Sequence, residues 1–384
     1  MQLPVYLDNN ATTICDPRVV ETMLPYFSTH FGNAASRSHA LGWQAAEAVD
    51  IAREQVAKLI GADPKEIIFT SGATEAVNLA IKGVYEAYAS KGNHIITVAT
   101  EHKAVLDTCG QLEKKGARVT YLAVNSEGLI EVDDLVSAIT PETILVSVMY
   151  GNNETGVVQP VREIAAIAKQ HGIIFFCDAT QAVGKIPVDV LKDGIDLLCL
   201  SAHKFYGPKG VGALYVRRRD PRVRLQPQID GGGHQRGLRS GTLNVPGIAG
   251  LGKAAEICRL EMEPETERIR RFRDQLEGGL LEIPGTSVNG SRVKRLPQVC
   301  NIAFSDADSE VLLMSVNKDL ALSSGSACTS ASIEPSYVLK AMGLDDGLAH
   351  SSLRFSVGRF TTGAEIDFAI RTIRSAVGTV RAVG

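Results

Sequence analysis

Four short segments carry the side chains whose types and spacing could do chemistry. In FTSGATEAVNLAIKGV (residues 69–84) a strand-like run ends near Thr70 and a helical pattern opens around Thr74. Such a turn, here Ser71, Gly72 and Ala73, aims backbone N–H groups at one spot, where the helix dipole also favours an anion. Thr74 can add a hydroxyl donor, although Ser71 and Thr74 also read as plain helix caps. In FFCDATQAVG, Asp178 ends an almost wholly apolar strand, with Gln181 three residues on. A carboxylate there needs a cation or good hydrogen bonds to offset its burial. It either caps a helix that begins at Ala179 or pairs with a protonated heterocyclic nitrogen. In LLCLSAHKFYGPKG, Ser201, His203 and Lys204 follow another buried strand. A lone lysine is usually a solvated charge, but one held at an apolar strand end suits carbonyl chemistry. Taken together, an anion turn, an acid and a lysine at strand ends match pyridoxal phosphate: its phosphate needs an anchor, its pyridine nitrogen an acid and its aldehyde an amine.

The fourth segment, SSGSACTS (323–330), sets a single thiol, Cys328, among small polar residues. Gly and Ser have little to pack, so a mobile loop is expected, and mobility suits a nucleophile that reaches into a pocket and then presents its cargo outside. An ordinary surface loop with an incidental cysteine is the alternative.

The elements that position these groups follow a regular alternation. EIIFT, HIITVAT, RVTYLAV, TILVSVMY, IIFFCDAT, DLLCLSA and GALYVRR read as seven strands, and helical patterns cover 43–60, 72–90, 103–115 and 161–171. This predicts an α/β fold: a mostly parallel seven-stranded sheet sandwiched by helices, with ligands beyond the carboxyl ends of the strands. After about residue 245 comes one long charged helix over 249–281, with Pro264 as a possible kink. Strands VCNIAFS, LALSS and SLRFSVG then mix with helices at 309–318, 335–342 and 363–378, a smaller α+β domain. The boundaries expected are 17–254 for the large domain, and 1–16 with 255–384 for the small one.

With 384 residues the chain exceeds what one core usually supports, so two domains are the default. The formal net charge of −3 gives no electrostatic argument for nucleic acid or a membrane surface. No run approaches the ~20 apolar residues of a membrane span. The start lacks a secretory signal, so a cytoplasmic protein is expected. The seven cysteines show no zinc spacing; no metal site and no disulfide is expected.

The chain resembles the cysteine desulfurases of the NifS/IscS type, in the class V aminotransferase-like branch of fold-type I pyridoxal-phosphate enzymes. The likeness runs from YLDNNATT (6–13) through FGNAASRSH, TSGATE, TEHKAV, NNETG, DATQAVGK, SAHKFYGPKG and RSGTLN to SSGSACTS and LRFSVGRFTT (353–362). It implies conversion of L-cysteine to L-alanine, with the sulfur held as a persulfide on Cys328 for iron–sulfur cluster assembly and other acceptors. By position, Lys204 resembles the lysine that holds the cofactor aldehyde, Asp178 the acid on the ring nitrogen and Gln181 the donor to the ring oxygen. His102 looks like the histidine that stacks on the ring and moves protons. Thr74, Ser201 and His203 match the phosphate cradle, with the backbone of Gly72 and Ala73. Asn153 resembles a further polar contact. Thr242 matches the residue lent to the phosphate by the neighbouring subunit, which implies a homodimer. Arg354 and Asn33 match the holders of the substrate carboxylate.

Two departures stand out. Ala34 replaces the family's usual proline, and the sequence stops at Gly384, before the segment that relatives use to dock a scaffold, so docking through such a tail is not expected. Arg217, Arg218, Arg219, Arg222 and Arg224 form either a solvated turn or a docking surface for an acidic partner. A selenocysteine lyase or an aminotransferase on the same fold is the alternative activity, although an aminotransferase needs no thiol loop. A catalytically idle relative would be expected to have lost Lys204, His102 or Cys328.

Overall fold

The computed structural model describes residues 2–324 and 335–383. After a short β1 (Val5–Tyr6), the seven apolar runs form one sheet: β2 (Ile67–Thr70), β3 (His94–Val98), β4 (Arg118–Leu122), β5 (Thr143–Ser147), β6 (Ile174–Asp178), β7 (Leu197–Ser201) and β8 (Gly212–Val216). The spatial order is β2-β8-β7-β6-β5-β3-β4. Strands β4, β3, β5, β6 and β7 pair in parallel, and β8 runs antiparallel to both β2 and β7. All residues of β2, β3, β5, β6, β7 and β8 are buried, which is why these strands read as continuous apolar runs rather than alternating ones. Edge strand β4 is largely uncovered.

Helices Ala73–Ala87 and Lys103–Glu113 cover one face, where Ala76, Ala80 and Val105 join a core with Ile95, Leu145 and Phe176. Helices Ala40–Ile60 and Val161–Gln170 cover the other, together with the first part of Val245–Leu281. Gly252 of that last helix lets it approach Ala40–Ile60 closely: a Cβ there would stand 2.5 Å from the Ala52 Cα.

The C-terminal part has its own core. Strands β9 (Thr286–Val288), β10 (Val299–Phe304) and β12 (Ser352–Ser356) form an antiparallel sheet in the order β12-β10-β9, while β1 pairs with β11 (Leu320–Ala321). Ile302, Phe304, Leu353 and Phe355 pack with Leu276, Leu280, Ile366 and Ile373. The 37-residue helix Val245–Leu281 joins the two regions: Cys258 belongs to the first core and Ile269 to the last. It starts four residues before the sequence pattern does, because Asn244 caps it by accepting from the Gly247 N–H at 3.1 Å and Pro246 fits its first turn. It also runs on through Pro264 as one element. That proline is exposed, so the carbonyl it leaves without a helical partner meets water.

Candidate active site

The carboxyl ends of β6 and β7, the start of helix Ala73–Ala87 and the N-terminal segment meet around a cavity of about 590 Å³. Lys204, Asp178, Gln181, Ser201, His203 and His102 line it, as do Gly72, Ala73, Thr74, Asn153 and Arg354. Asn33 and Thr242 do not. Both are exposed, and Asn33 closes a local turn by accepting from the Ala35 N–H at 2.9 Å. Cys328 lies outside the described residues.

One wall is an anion cradle. The helix begins at Ala73, between the two starts that the sequence suggests, with Gly72 as its N-cap and no side-chain cap. Ser71 does not cap it either: its backbone N–H donates to Glu75 Oε2 at 2.8 Å, and Glu75 is paired with Arg239 at 2.7 Å. The first turn therefore keeps N–H groups for a ligand. Gly72 has a φ of +155°, a conformation that favours glycine, and a Cβ there would stand 3.6 Å from Ser201 Oγ. His203 contacts Thr12 Oγ1 through Nδ1 at 3.1 Å. Burial, helped by Lys204 and Lys209, pushes its pKa down to about 4, so the ring is neutral at pH 7.

The floor is built on Asn10, whose role the sequence does not disclose. Its carbonyl oxygen accepts from Lys204 Nζ at 2.6 Å and from Gln181 Nε2 at 2.9 Å. Lys204 Nζ also donates to the Ala11 carbonyl at 2.8 Å. Asp178 ends β6 and is 8% exposed; its Oδ1 accepts from the Thr180 N–H at 3.0 Å. The Cys199 thiol also bonds to this carboxylate, and the two contacts leave acceptor capacity towards the cavity for a cationic N–H.

The opposite wall holds Arg354, 3% exposed on β12. One terminal nitrogen pairs with Asp8 at 2.7 Å and the other donates to the Asn153 carbonyl at 3.1 Å, while Nε has no partner among the described residues. His102 caps helix Lys103–Glu113 by accepting from the Ala104 N–H at Nδ1, 3.1 Å away. An accepting Nδ1 puts the ring proton of neutral His102 on Nε2. Buried Glu154 accepts from the Ser336 hydroxyl, and burial raises its pKa against the pull of Arg354 and His102.

The thiols sort themselves by burial. Cys109, Cys177, Cys199, Cys258 and Cys300 are buried and Cys15 partly so; all are free. Burial pushes all six pKa values up, to about 12 for Cys109 and Cys300 and about 11 for Cys258. None of the six can be a ready thiolate at neutral pH. The described residues flanking 325–334 are tied to the cavity walls: the Ser323 carbonyl accepts from the Arg354 N–H at 2.8 Å, and the Tyr337 hydroxyl donates to the Glu101 carbonyl at 2.6 Å.

These groups fit pyridoxal phosphate. An uncapped helix start borders the cavity beside two hydroxyls, a buried acid lines it, and a lysine amine lines the same space. The class-V aminotransferase family model matches residues 5–368. The protein named cysteine desulfurase IscS from Anaeromyxobacter dehalogenans is 57% identical over 382 residues, 99% of this chain and 94% of that one. The chain belongs to the cysteine desulfurases of the class-V aminotransferase family. A second relative of that name, from Proteus mirabilis, is 58% identical over 383 residues, again 99% of this chain and 94% of the other. Among solved structures, a NifS-like protein superposes with a TM-score of 0.92 at 37% identity, covering 98% of this chain and 100% of that one. A structure described as SspA in complex with cysteine gives 0.82 at 39% identity, covering 93% and 99%. The family's fold-type I architecture is the fold described above.

The arginine cluster lies elsewhere. Arg217 is accounted for structurally, paired with Asp196 at 3.0 Å and bonded to the Ile195 carbonyl. Arg218, Arg219, Arg222 and Arg224 are exposed. Among the described residues no group of acids, cysteines and histidines could hold a metal ion, and no helix is long and apolar enough to cross a membrane.

Proposed function

We propose that this chain is a pyridoxal-phosphate-dependent cysteine desulfurase that converts L-cysteine to L-alanine and carries the sulfur on Cys328 as a persulfide. The observation that carries the reading is the convergence of Lys204, Asp178, the uncapped helix start and Arg354 on one cavity. Pyridoxal phosphate supplies an aldehyde that condenses with amines and a ring that draws electron density away from the substrate Cα.

The chain's own residues do the rest. The N–H groups of the first helical turn, with Thr74, Ser201 and His203, hold the phosphate. Asp178 meets the ring nitrogen and Gln181 the ring oxygen. Arg354, braced by Asp8 and the Asn153 carbonyl, binds the substrate carboxylate; Asn153 lines the same space. Lys204 Nζ takes the proton from the substrate Cα, and His102 Nε2 holds or returns protons. The Cys328 thiolate attacks the substrate sulfur. A new S–S bond forms as the Cβ–S bond breaks, and protons returned to the carbon skeleton leave alanine.

Several finer assignments extend this reading. A homodimer in which the neighbour's Thr242 reaches the phosphate agrees with the exposure of Thr242 and its distance from its own cavity. Asn33 would likewise need to act from outside its own cavity. The separate C-terminal core supports domains of 17–254, and 1–16 with 255–384. Delivery to iron–sulfur cluster assembly agrees with the relatives' name, a cytoplasmic location belongs to the same reading, and the exposed arginines Arg218, Arg219, Arg222 and Arg224 suit an acidic acceptor or regulator. Alanine release from L-cysteine, compared between wild type and Lys204→Ala, tests the reading. Alanine from wild type alone supports it, and equal release overturns it.

A further inference from the structure

Glu101 precedes His102 and has no task in the reaction above. Its side chain is 0% exposed. Oε1 accepts the Met149 N–H, while Oε2 has no hydrogen-bond partner among the described residues. No described cation forms an ion pair with it, and the charged group that faces it from β6 is another acid, Asp178. Cys177, also on β6, and Cys109, on helix Lys103–Glu113, are the other titratable groups that feel it, and both are held as neutral thiols. Tyr337 touches only its backbone carbonyl.

The polar atoms nearby tell the same story. Thr97, Thr100 and Ser147 also bury hydroxyls without partners among the described residues. Ile96 pairs with Val146, so Thr97 and Ser147 follow as neighbours in register. They lie on the face that Ile95, Leu145 and Phe176 share, which Asp178 joins two residues after Phe176. An ionised Glu101 carboxylate would lack solvent, a cation and a second donor, and would face a second acid. A neutral acid needs only one donor and one acceptor, and hydroxyls or a buried water can supply the latter.

We propose that Glu101 is a neutral carboxylic acid in the folded protein, so that Asp178, at the cavity, has an uncharged neighbour behind it. Glu101 is thus a positioning residue: it fixes what Asp178 presents without touching the cofactor. The consequence for the ring nitrogen rests on the functional reading above; the protonation of Glu101 does not.

The test compares urea unfolding midpoints of the purified full chain and Glu101→Gln from pH 5 to pH 8. The unfolded chain ionises this group above its ordinary pKa of 4.5 while the folded chain keeps the proton. Folding therefore weakens by up to about tenfold in equilibrium constant per pH unit above that value, and glutamine removes the effect. The variant's midpoint should gain on wild type steadily as pH rises. A gap that stays constant or shrinks overturns the proposal. Infrared spectra of wild type at pH 8 give a second reading should the variant fail to fold: a protonated-carboxyl carbonyl band is expected, and its absence overturns the proposal. Neither measurement depends on turnover, so a failure here is distinguishable from a failure of the desulfurase reading.

Discussion

Lys204 Nζ lies 2.6 Å from the carbonyl oxygen of Asn10, a residue 194 positions earlier in the chain. The same oxygen receives Gln181 Nε2 at 2.9 Å, while the Asn10 side chain donates to the Asn153 carbonyl at 3.0 Å. With the Ala11 carbonyl at 2.8 Å, two neighbouring backbone carbonyls thus hold the amine at the cavity. Lys204→Arg keeps a cation that can still reach these carbonyls but offers no amine for the aldehyde. It should fold with a near-normal unfolding midpoint and lose roughly 10²–10⁴-fold in alanine formation, the usual weight of a positioned proton-transfer group.

Arg354 is held in advance by Asp8 and the Asn153 carbonyl. Arg354→Lys cannot keep both contacts and also meet a carboxylate with a fork of donors. Steady-state kinetics should show KM for L-cysteine rising roughly ten- to a hundredfold, the worth of a charge-assisted bond, with kcat falling less. Arg354→Ala leaves Asp8 without its ion pair, so it should lower stability as well as affinity.

His203 provides a pH signature. Its folded pKa of about 4 lies below the ordinary 6.5, so the unfolded chain takes up a proton that the folded one refuses. Its contribution is complete above pH 6.5 and is lost as pH falls from 6.5 towards 4. His203→Gln should flatten that part of the stability profile, measured as urea midpoints at pH 7 and pH 5.

Ser336 does two jobs. Its hydroxyl donates to Glu154 and accepts from the Leu339 N–H at 3.2 Å, capping helix Tyr337–Ala341. Ser336→Ala should cost roughly 1–2 kcal/mol, a lost cap plus a buried carboxyl without its partner, read as a shift in denaturant midpoint.

The large sheet is legible because six of its strands are buried along their whole length, leaving uninterrupted apolar runs from Ile67 to Val216. Asp178 and Lys204 stand out for the complementary reason: each is a charge placed where such a run stops. Other features leave no mark. Strands β1 and β9 have two and three residues, too few for a pattern. Asn10 acts through a backbone carbonyl, which no side chain advertises, and only the fold brings it to Lys204. The first turn of Val245–Leu281 is hidden by Pro246 and Gly247, which look like loop residues. Glu101 carries no mark either, because acids beside histidines are ordinary, and only the structure shows its burial.

The most direct test of sulfur transfer through Cys328 is a single-turnover reaction with L-cysteine, following alanine by chromatography and the mass of the Cys328 peptide. The account predicts one alanine per chain and a mass gain of one sulfur at Cys328, with both lost in Cys328→Ala. Alanine released at the wild-type rate by Cys328→Ala, or sulfur found on another cysteine, would contradict it.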